Sequence, residues 1–200
     1  MNHISDREKQ FKLLCAEASR CQLCPRMADR KAVLSKLNGP LNPVVLFIAE
    51  APARLGADRT RVPLLGDRSG EHFDLFLQVT GLTRNNIFIT NAVLCNPRIG
   101  QRNVRPKAAE IANCRYYLQK QIEILDPPVV ATLGAIALDT LDKICSHGLK
   151  LASSVGQVHD WNGRKLVPLY HPSPNVVISV RSKELQLQDY KAIREALKCQ

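Results

Sequence analysis

Cys21 and Cys24 stand two residues apart in Cys-Gln-Leu-Cys-Pro-Arg. At that spacing one loop presents two thiolates to a common metal ion or cluster. A second pair, Cys95 and Cys114, encloses 18 residues, too many for a single finger knuckle. Cys95 follows an expected strand and Cys114 lies on the inner face of an expected helix, so a loop from 96 to 105 can fold back and let all four thiolates converge. Four thiolates hold either a structural zinc or an iron-sulfur cluster, and spacing does not choose between them. The seven cysteines are an odd number, which argues against a complete disulfide framework. Cys15, Cys145 and Cys199 read as buried free thiols.

A second constellation is an acid, an amide and an imidazole. Glu50 follows the apolar run Val44 to Ala49, Asn91 follows Ile87 to Thr90, and His171 follows Leu166 to Tyr170. In open α/β sheets, ligands bind beyond the carboxyl ends of the strands, where these three residues fall. Singly, Glu50 could cap a turn, Asn91 could satisfy loop backbone, and His171 could be a hydrogen-bonded core histidine. Together they can hold a charge, read a polar ring edge and stabilise a developing anion, the requirements of a hydrolase site.

Between Cys95 and Glu110, Arg98, Arg102, Arg105 and Lys107 occur without an acidic residue. A loop anchored at Cys95 would project these cations toward a phosphate backbone. The alternative is an ordinary solvated basic loop.

These residues need elements to position them. Phe11, Leu14, Cys15 and Ala18 recur at helical spacing, so the segment up to about Arg20 is expected to be an amphipathic helix. After the turn signal Asn38-Gly39-Pro40, the β-prone runs Val44 to Ala49, Ile87 to Thr90 and Val129 to Leu133 read as strands buried on both faces. Helices are expected from Ser69 to Val79, from Pro106 to Leu125 with Pro106 in the first turn, and from about Ser182 to Leu197. Asn162-Gly163, between Val158–Trp161 and Arg164–Leu169, signals a hairpin. This alternation predicts an α/β domain whose mostly parallel sheet is covered on both faces.

With 45% hydrophobic and 23% charged residues, the 200-residue chain suits one well-buried domain, 1–200, better than two. The apolar runs fall short of the roughly 18 residues of a membrane span. Met1 to Gln10 carries Asp6 and Glu8 and no apolar stretch behind a basic start, so no secretory signal is expected. The expectation is a soluble, monomeric, cytoplasmic protein associated with the nucleoid. A formal charge of +10 matches the footprint of a nucleic-acid binder, although a basic surface alone is weak evidence.

At the level of motifs the chain resembles the iron-sulfur-containing, thermophile-type uracil-DNA glycosylases of the fourth and fifth families. Ala49-Glu50-Ala51-Pro52-Ala53 is similar to the first active-site motif of the fourth family. Leu55 to Thr60 and Gly66 to Gly70 look more like the fifth. Ile89-Thr90-Asn91-Ala92-Val93-Leu94-Cys95, Ala109 to Cys114, and His171-Pro172-Ser173-Pro174-Asn175 match further motifs in order.

The resemblance implies a three-layer α/β/α fold with a central mostly parallel sheet. It implies a structural 4Fe-4S cluster on Cys21, Cys24, Cys95 and Cys114, and removal of uracil, or another deaminated base, from single- or double-stranded DNA. By the same resemblance Asn91 and Ala51 meet the base, and His171 donates to the pyrimidine O2. An acid stabilises the sugar cation, with Glu50 ranked before Asp67 and then Asp58. Arg98, Arg102, Arg105, Ser173 and Asn175 contact DNA. Leu64 stands where relatives place a stacking Phe, and Ala49 and Ala53 replace glycines. The competing classes are a cluster-bearing DNA-binding protein without turnover and an electron-transfer protein.

Overall fold

A computed structural model describes residues 5–199. Residues 1–4, where the expectation of an absent secretory signal begins, lie outside the described residues. Helix α1, Asp6–Ser19, starts at a reciprocal cap in which Ser5 Oγ accepts from Glu8 N and the Glu8 carboxylate accepts from Ser5 N. Its Phe11, Leu14 and Ala18 are buried, as their spacing predicts.

Strand β1, Val45–Ala49, is buried along its whole length. A one-turn helix, α2 (Ala57–Thr60), leads to α3, Arg68–Gln78. The expected Ser69 start moves back by one residue because Asp67 caps the helix, its Oδ1 accepting from Gly70 N at 3.0 Å. Strand β2 spans Ile87–Asn91, so Asn91 is the last residue of the strand and not the first after it.

The segment expected as a plain loop contains a small antiparallel ribbon, β3 (Arg98–Ile99) and β4 (Arg102–Asn103). Helix α4 runs Ala108–Leu125. Pro106 lies outside it, because the Glu110 carboxylate takes the N–H of Lys107 at 2.7 Å and fixes Lys107 as the cap.

Strand β5, Val129–Leu133, is followed after Gly134 by α5, Ala135–Asp142, a helix not among the sequence expectations. A short α6, Leu151–Ser154, precedes the hairpin of β6 (His159–Trp161) and β7 (Arg164–Leu169). Asn162 and Gly163 both have positive φ there, as a tight primed turn requires. Helices α7, Pro174–Ser179, and α8, Lys183–Lys198, complete the described chain.

The sheet order is β2-β1-β5-β7-β6, parallel throughout except for β6. Side chains alternate across it. Leu46, Ile48, Phe88, Val130 and Leu166 face a core shared with Phe11, Leu118 and Leu138 of α1, α4 and α5. Val45, Phe47, Ile87, Ala131 and Val167 face a core shared with Phe73 and Phe76 of α3 and Tyr190 and Ile193 of α8. The fold is therefore the expected three-layer α/β/α sandwich.

The open edge of β2 is covered by residues 38 and 39. Asn38 Nδ2 donates to Ile89 O at 2.7 Å, and Gly39 packs so closely on Ile87 O that a Cβ would collide with it. Among the described residues no helix is long and apolar enough to cross a membrane.

Candidate active site

Parallel strands deliver their carboxyl ends to one side of the sheet, and a pocket of about 620 Å³ opens there. Glu50 and Ala51 enter its wall from the end of β1, Tyr170 and His171 from the end of β7, and Gly134 from the end of β5. Ser173 and Asn175 line it from the start of α7, Asn103 from the ribbon and Arg105 from just beyond it. A larger groove of about 860 Å³ lies at the opposite end of β1 and β2 and holds none of the motif residues. Its Arg7 and Arg84 are already engaged with protein carbonyls. The motif residues Glu50, Ala51, His171, Ser173 and Asn175 line the smaller of these two.

Glu50 is half-buried, and burial raises its carboxyl pKa while the Arg105 cation opposes the rise. Burial of the His171 ring pushes its pKa down to about 4, and the charge of Asp67 acts in the other direction. At neutral pH His171 is therefore an uncharged imidazole that can still donate one hydrogen bond. His72 of α3, which no motif singled out, meets Pro172 O through Nδ1 at 2.9 Å and fixes the loop after His171.

The other expected residues are placed as follows. Asn91 is buried beside Ala49, its Nδ2 has no hydrogen-bond partner, and it is not among the residues lining the pocket. Asp67 is occupied as the α3 cap and does not line the pocket. Asp58 pairs with Arg61 at 3.9 Å. Leu64 adopts a positive φ and packs against the α3 and α8 side of the core, outside the pocket walls. Arg84 holds it there by donating to Leu64 O at 2.5 Å and to Pro63 O at 3.0 Å. The aromatic side chain in the wall is that of Tyr170. Arg102 and Arg105 are exposed, and Arg98 is partly covered.

The cysteines occupy a separate corner beside α1 and α4. Burial pushes the Cys95 thiol up to about 11, with Cys21 and Cys24 adding to the rise. Burial also pushes Cys114 up to about 12, with Cys95, Cys24 and Cys21 contributing in turn. The four thiols thus share one space. Leu94 N donates to Cys114 Sγ at 3.4 Å and Asn113 Nδ2 to Cys24 Sγ at 3.6 Å. A soft, all-sulfur donor set with N–H groups directed at the sulfurs suits an iron-sulfur cluster. Among the described residues, no three His, Cys, Asp or Glu side chains stand at the spacing of a single-ion site.

A polar strut joins this corner to the pocket. Arg26 grips Glu110 through Nε at 2.9 Å and Nη2 at 2.6 Å, and Nη2 also donates to Arg105 O at 3.3 Å. These bonds hold the carboxyl of the buried Glu110 below its ordinary pKa.

Residues 37–198 match the family described as the uracil DNA glycosylase superfamily. The chain belongs to that superfamily. As a uracil-DNA glycosylase superfamily member it is similar to proteins of two named types. It is 30% identical over 196 residues to a type-4 uracil-DNA glycosylase of Thermotoga maritima, covering 96% of this chain and 97% of the relative. It is 31% identical over 190 residues to a type-4 uracil-DNA glycosylase of Saccharolobus solfataricus, covering 92% and 85% respectively. A type-5 uracil-DNA glycosylase of Pyrobaculum aerophilum is 29% identical over 182 residues, with 77% and 78% covered. Within this superfamily member, Glu50 to Ala53 of the motif resembling the fourth family and His171, Ser173 and Asn175 of the motif resembling the superfamily's second one line one pocket, whereas no residue of Ile89 to Cys95 does.

Proposed function

We propose that this protein is a DNA glycosylase that hydrolyses the N-glycosidic bond of uracil in DNA. The observation that carries the reading is the single pocket at the strand ends with Glu50 and His171 both in its wall. Its volume suits one extruded nucleoside, which a base-excising enzyme must take out of the stack.

The residues divide the work by their electrostatics. As the bond from C1′ to the base nitrogen breaks, its electron pair moves into the pyrimidine and negative charge gathers on O2. A neutral His171 donates a hydrogen bond to that oxygen, and this bond strengthens as the charge grows. Glu50, as the carboxylate, faces the cationic sugar and orients the water that adds to C1′, so uracil and an abasic sugar are the products. Arg105 opposes the upward push that burial gives the Glu50 carboxyl pKa. The unpartnered amide of Asn91 supplies donors for the uracil edge, and Ala51 leaves room for the ring. Asp67, already a helix cap, acts on His171 through its charge and takes no part at the sugar.

Cys21, Cys24, Cys95 and Cys114 would hold a 4Fe-4S cluster, which supplies structural cross-linking. DNA is the partner, with Arg98, Arg102, Arg105, Ser173 and Asn175 around the pocket meeting its backbone. The test is to incubate purified holoprotein with single- and double-stranded oligonucleotides carrying uracil, hypoxanthine or xanthine, and then cleave abasic sites with alkali. Strand breaks at uracil are expected. Retained DNA binding without breaks at any base would leave a DNA-binding protein and remove the enzyme.

A further inference from the structure

The loop after Glu50 leaves the sheet with little backbone to hold it. Ala92 N donates to Ala49 O at 2.8 Å and Val93 N to Glu50 O at 3.0 Å, which carries the pairing of β1 and β2 just past the strands. Pro52 then has no N–H to offer, so a backbone ladder stops there. Side chains take over. Asn96 Nδ2 donates to Pro52 O at 2.7 Å and to Asn103 Oδ1 at 3.1 Å, and Asn103 Oδ1 also accepts from Arg54 N at 3.0 Å. Arg54 Nε braces the turn of the ribbon by donating to Gln101 O at 2.9 Å.

These bonds form a circuit that leaves the loop at Pro52 and returns to it at Arg54. Its direction is fixed at both ends. The Pro52 carbonyl only accepts and the Arg54 N–H only donates, so Asn96 must turn its NH2 inward to the circuit and Asn103 its oxygen. Asn96 is wholly buried, yet its own Oδ1 has no hydrogen-bond partner. An orphaned buried oxygen is destabilising, and an apolar side chain would avoid it. The amide is thus a poor choice for filling the core, and what it adds is the two donors. The loop it holds forms a pocket wall, where Pro52, Ala53 and Asn103 stand beside Glu50.

Building on the glycosylase reading, we propose that Asn96 and Asn103 form a directional amide relay that sets the turn from Glu50 to Arg54 and so aims the Glu50 carboxylate at the sugar. Both act as positioning residues and touch no reacting atom. Because Asn96 follows Cys95 directly, the relay also ties the cysteine corner to the acid.

The experiment measures kcat and KM for uracil release from a single-stranded oligonucleotide by holoprotein carrying Asn96→Ala, Asn96→Asp, Asn103→Ala or Asn103→Asp. Hydrogen exchange of the backbone at 51–54 is followed in parallel. Asn96→Ala is expected to lower kcat about tenfold or more with KM changed less than about threefold, since a misplaced catalytic group costs turnover more than binding. Asn96→Asp has the same shape but no donors, and should fare no better. Asn103→Ala should also lower kcat, whereas Asn103→Asp should recover most of that loss, because a carboxylate oxygen accepts both bonds and its charge shows only in KM. In a Glu50→Gln background, Asn96→Ala should cost less than about threefold further, as expected of residues that act as a unit. Exchange at 51–54 should rise in both Ala variants and fall back in Asn103→Asp.

An unchanged kcat in Asn96→Ala, equal losses in Asn103→Ala and Asn103→Asp, or the same loss from Asn96→Ala with and without Glu50→Gln would overturn the proposal. Absence of uracil release by the unmodified protein would count against the glycosylase reading alone. In that case exchange still decides, and a pattern unaltered by Asn96→Ala removes the relay.

Discussion

The pocket and the cysteine corner lie on the same molecule but are held together by different physics. Glu50, Gly134 and His171 follow three adjacent parallel strands whose side chains are buried on both faces, so the packed sheet fixes their spacing before any ligand arrives. The cysteines come from a loop after α1, a turn after β2 and the side of α4, with no common ladder beneath them. What gathers them in the fold is a set of polar contacts, chiefly Arg26 with Glu110. The pocket is thus preorganised by the hydrophobic core, whereas the corner, if it holds the cluster proposed for it, would draw much of its order from that group.

That contrast can be broken most forcefully at the sulfurs. If the proposed cluster is present, Cys114→Ala should abolish its visible absorption and lower folding stability by about 4 kcal/mol or more, read from denaturant melts. A variant that keeps its stability would make the two regions alike.

Changes at the pocket should do the reverse, costing activity while the melt stays put. Glu50→Gln is expected to lower kcat about a hundredfold with DNA affinity little changed. Asp67→Asn should cost less than about fivefold, since Asn caps a helix about as well as Asp. Steady-state kinetics on a uracil oligonucleotide decide between them, and the opposite order would move the sugar-facing charge to Asp67.

Arg26→Ala sharpens the comparison by cutting the strut between the regions. It strands Glu110 as a buried carboxylate, so a loss of about 2 kcal/mol is expected, with weaker DNA binding as Arg105 loses its anchor. Chemical denaturation and a binding titration measure the two effects.

The smallest effect is a pH dependence. His171 titrates near 6.5 in an unfolded chain and at about 4 in the fold. Between those values the unfolded state holds more protons, so His171 supports stability fully above about pH 6.5 and loses that contribution as pH falls toward 4. Replacing it in His171→Asn should flatten the stability-pH curve over this window. Urea melts at several pH values between 4 and 7 give the answer.

Strand runs with a strong β-prone signal, such as Val45–Ala49 and Val129–Leu133, were legible in the sequence because burial on both faces leaves an unbroken apolar string. Glu50, Asn91 and His171 were legible as the polar residues at which such strings stop. Helix α5 was hidden because the apolar string of β5 runs on through Gly134 into Ala135–Leu138 without a polar break. The ribbon escaped because two-residue strands carry no periodicity. Positions set by distant partners were also invisible. Nothing local marks His72 as the support of Pro172, or shows that Arg84 would draw Leu64 out of the pocket.

The cover over β2 bears on how the molecule behaves in a crowded solution. A bare edge strand with the sequence Ile-Phe-Ile-Thr would offer a ready template for strands of other chains. With Asn38 bonded to Ile89 O and Gly39 lodged against Ile87 O, that template is occupied from within. Any bulkier residue at 39 would pry the cover away, and the first symptom would be aggregation during refolding, well before any fault in the distant pocket.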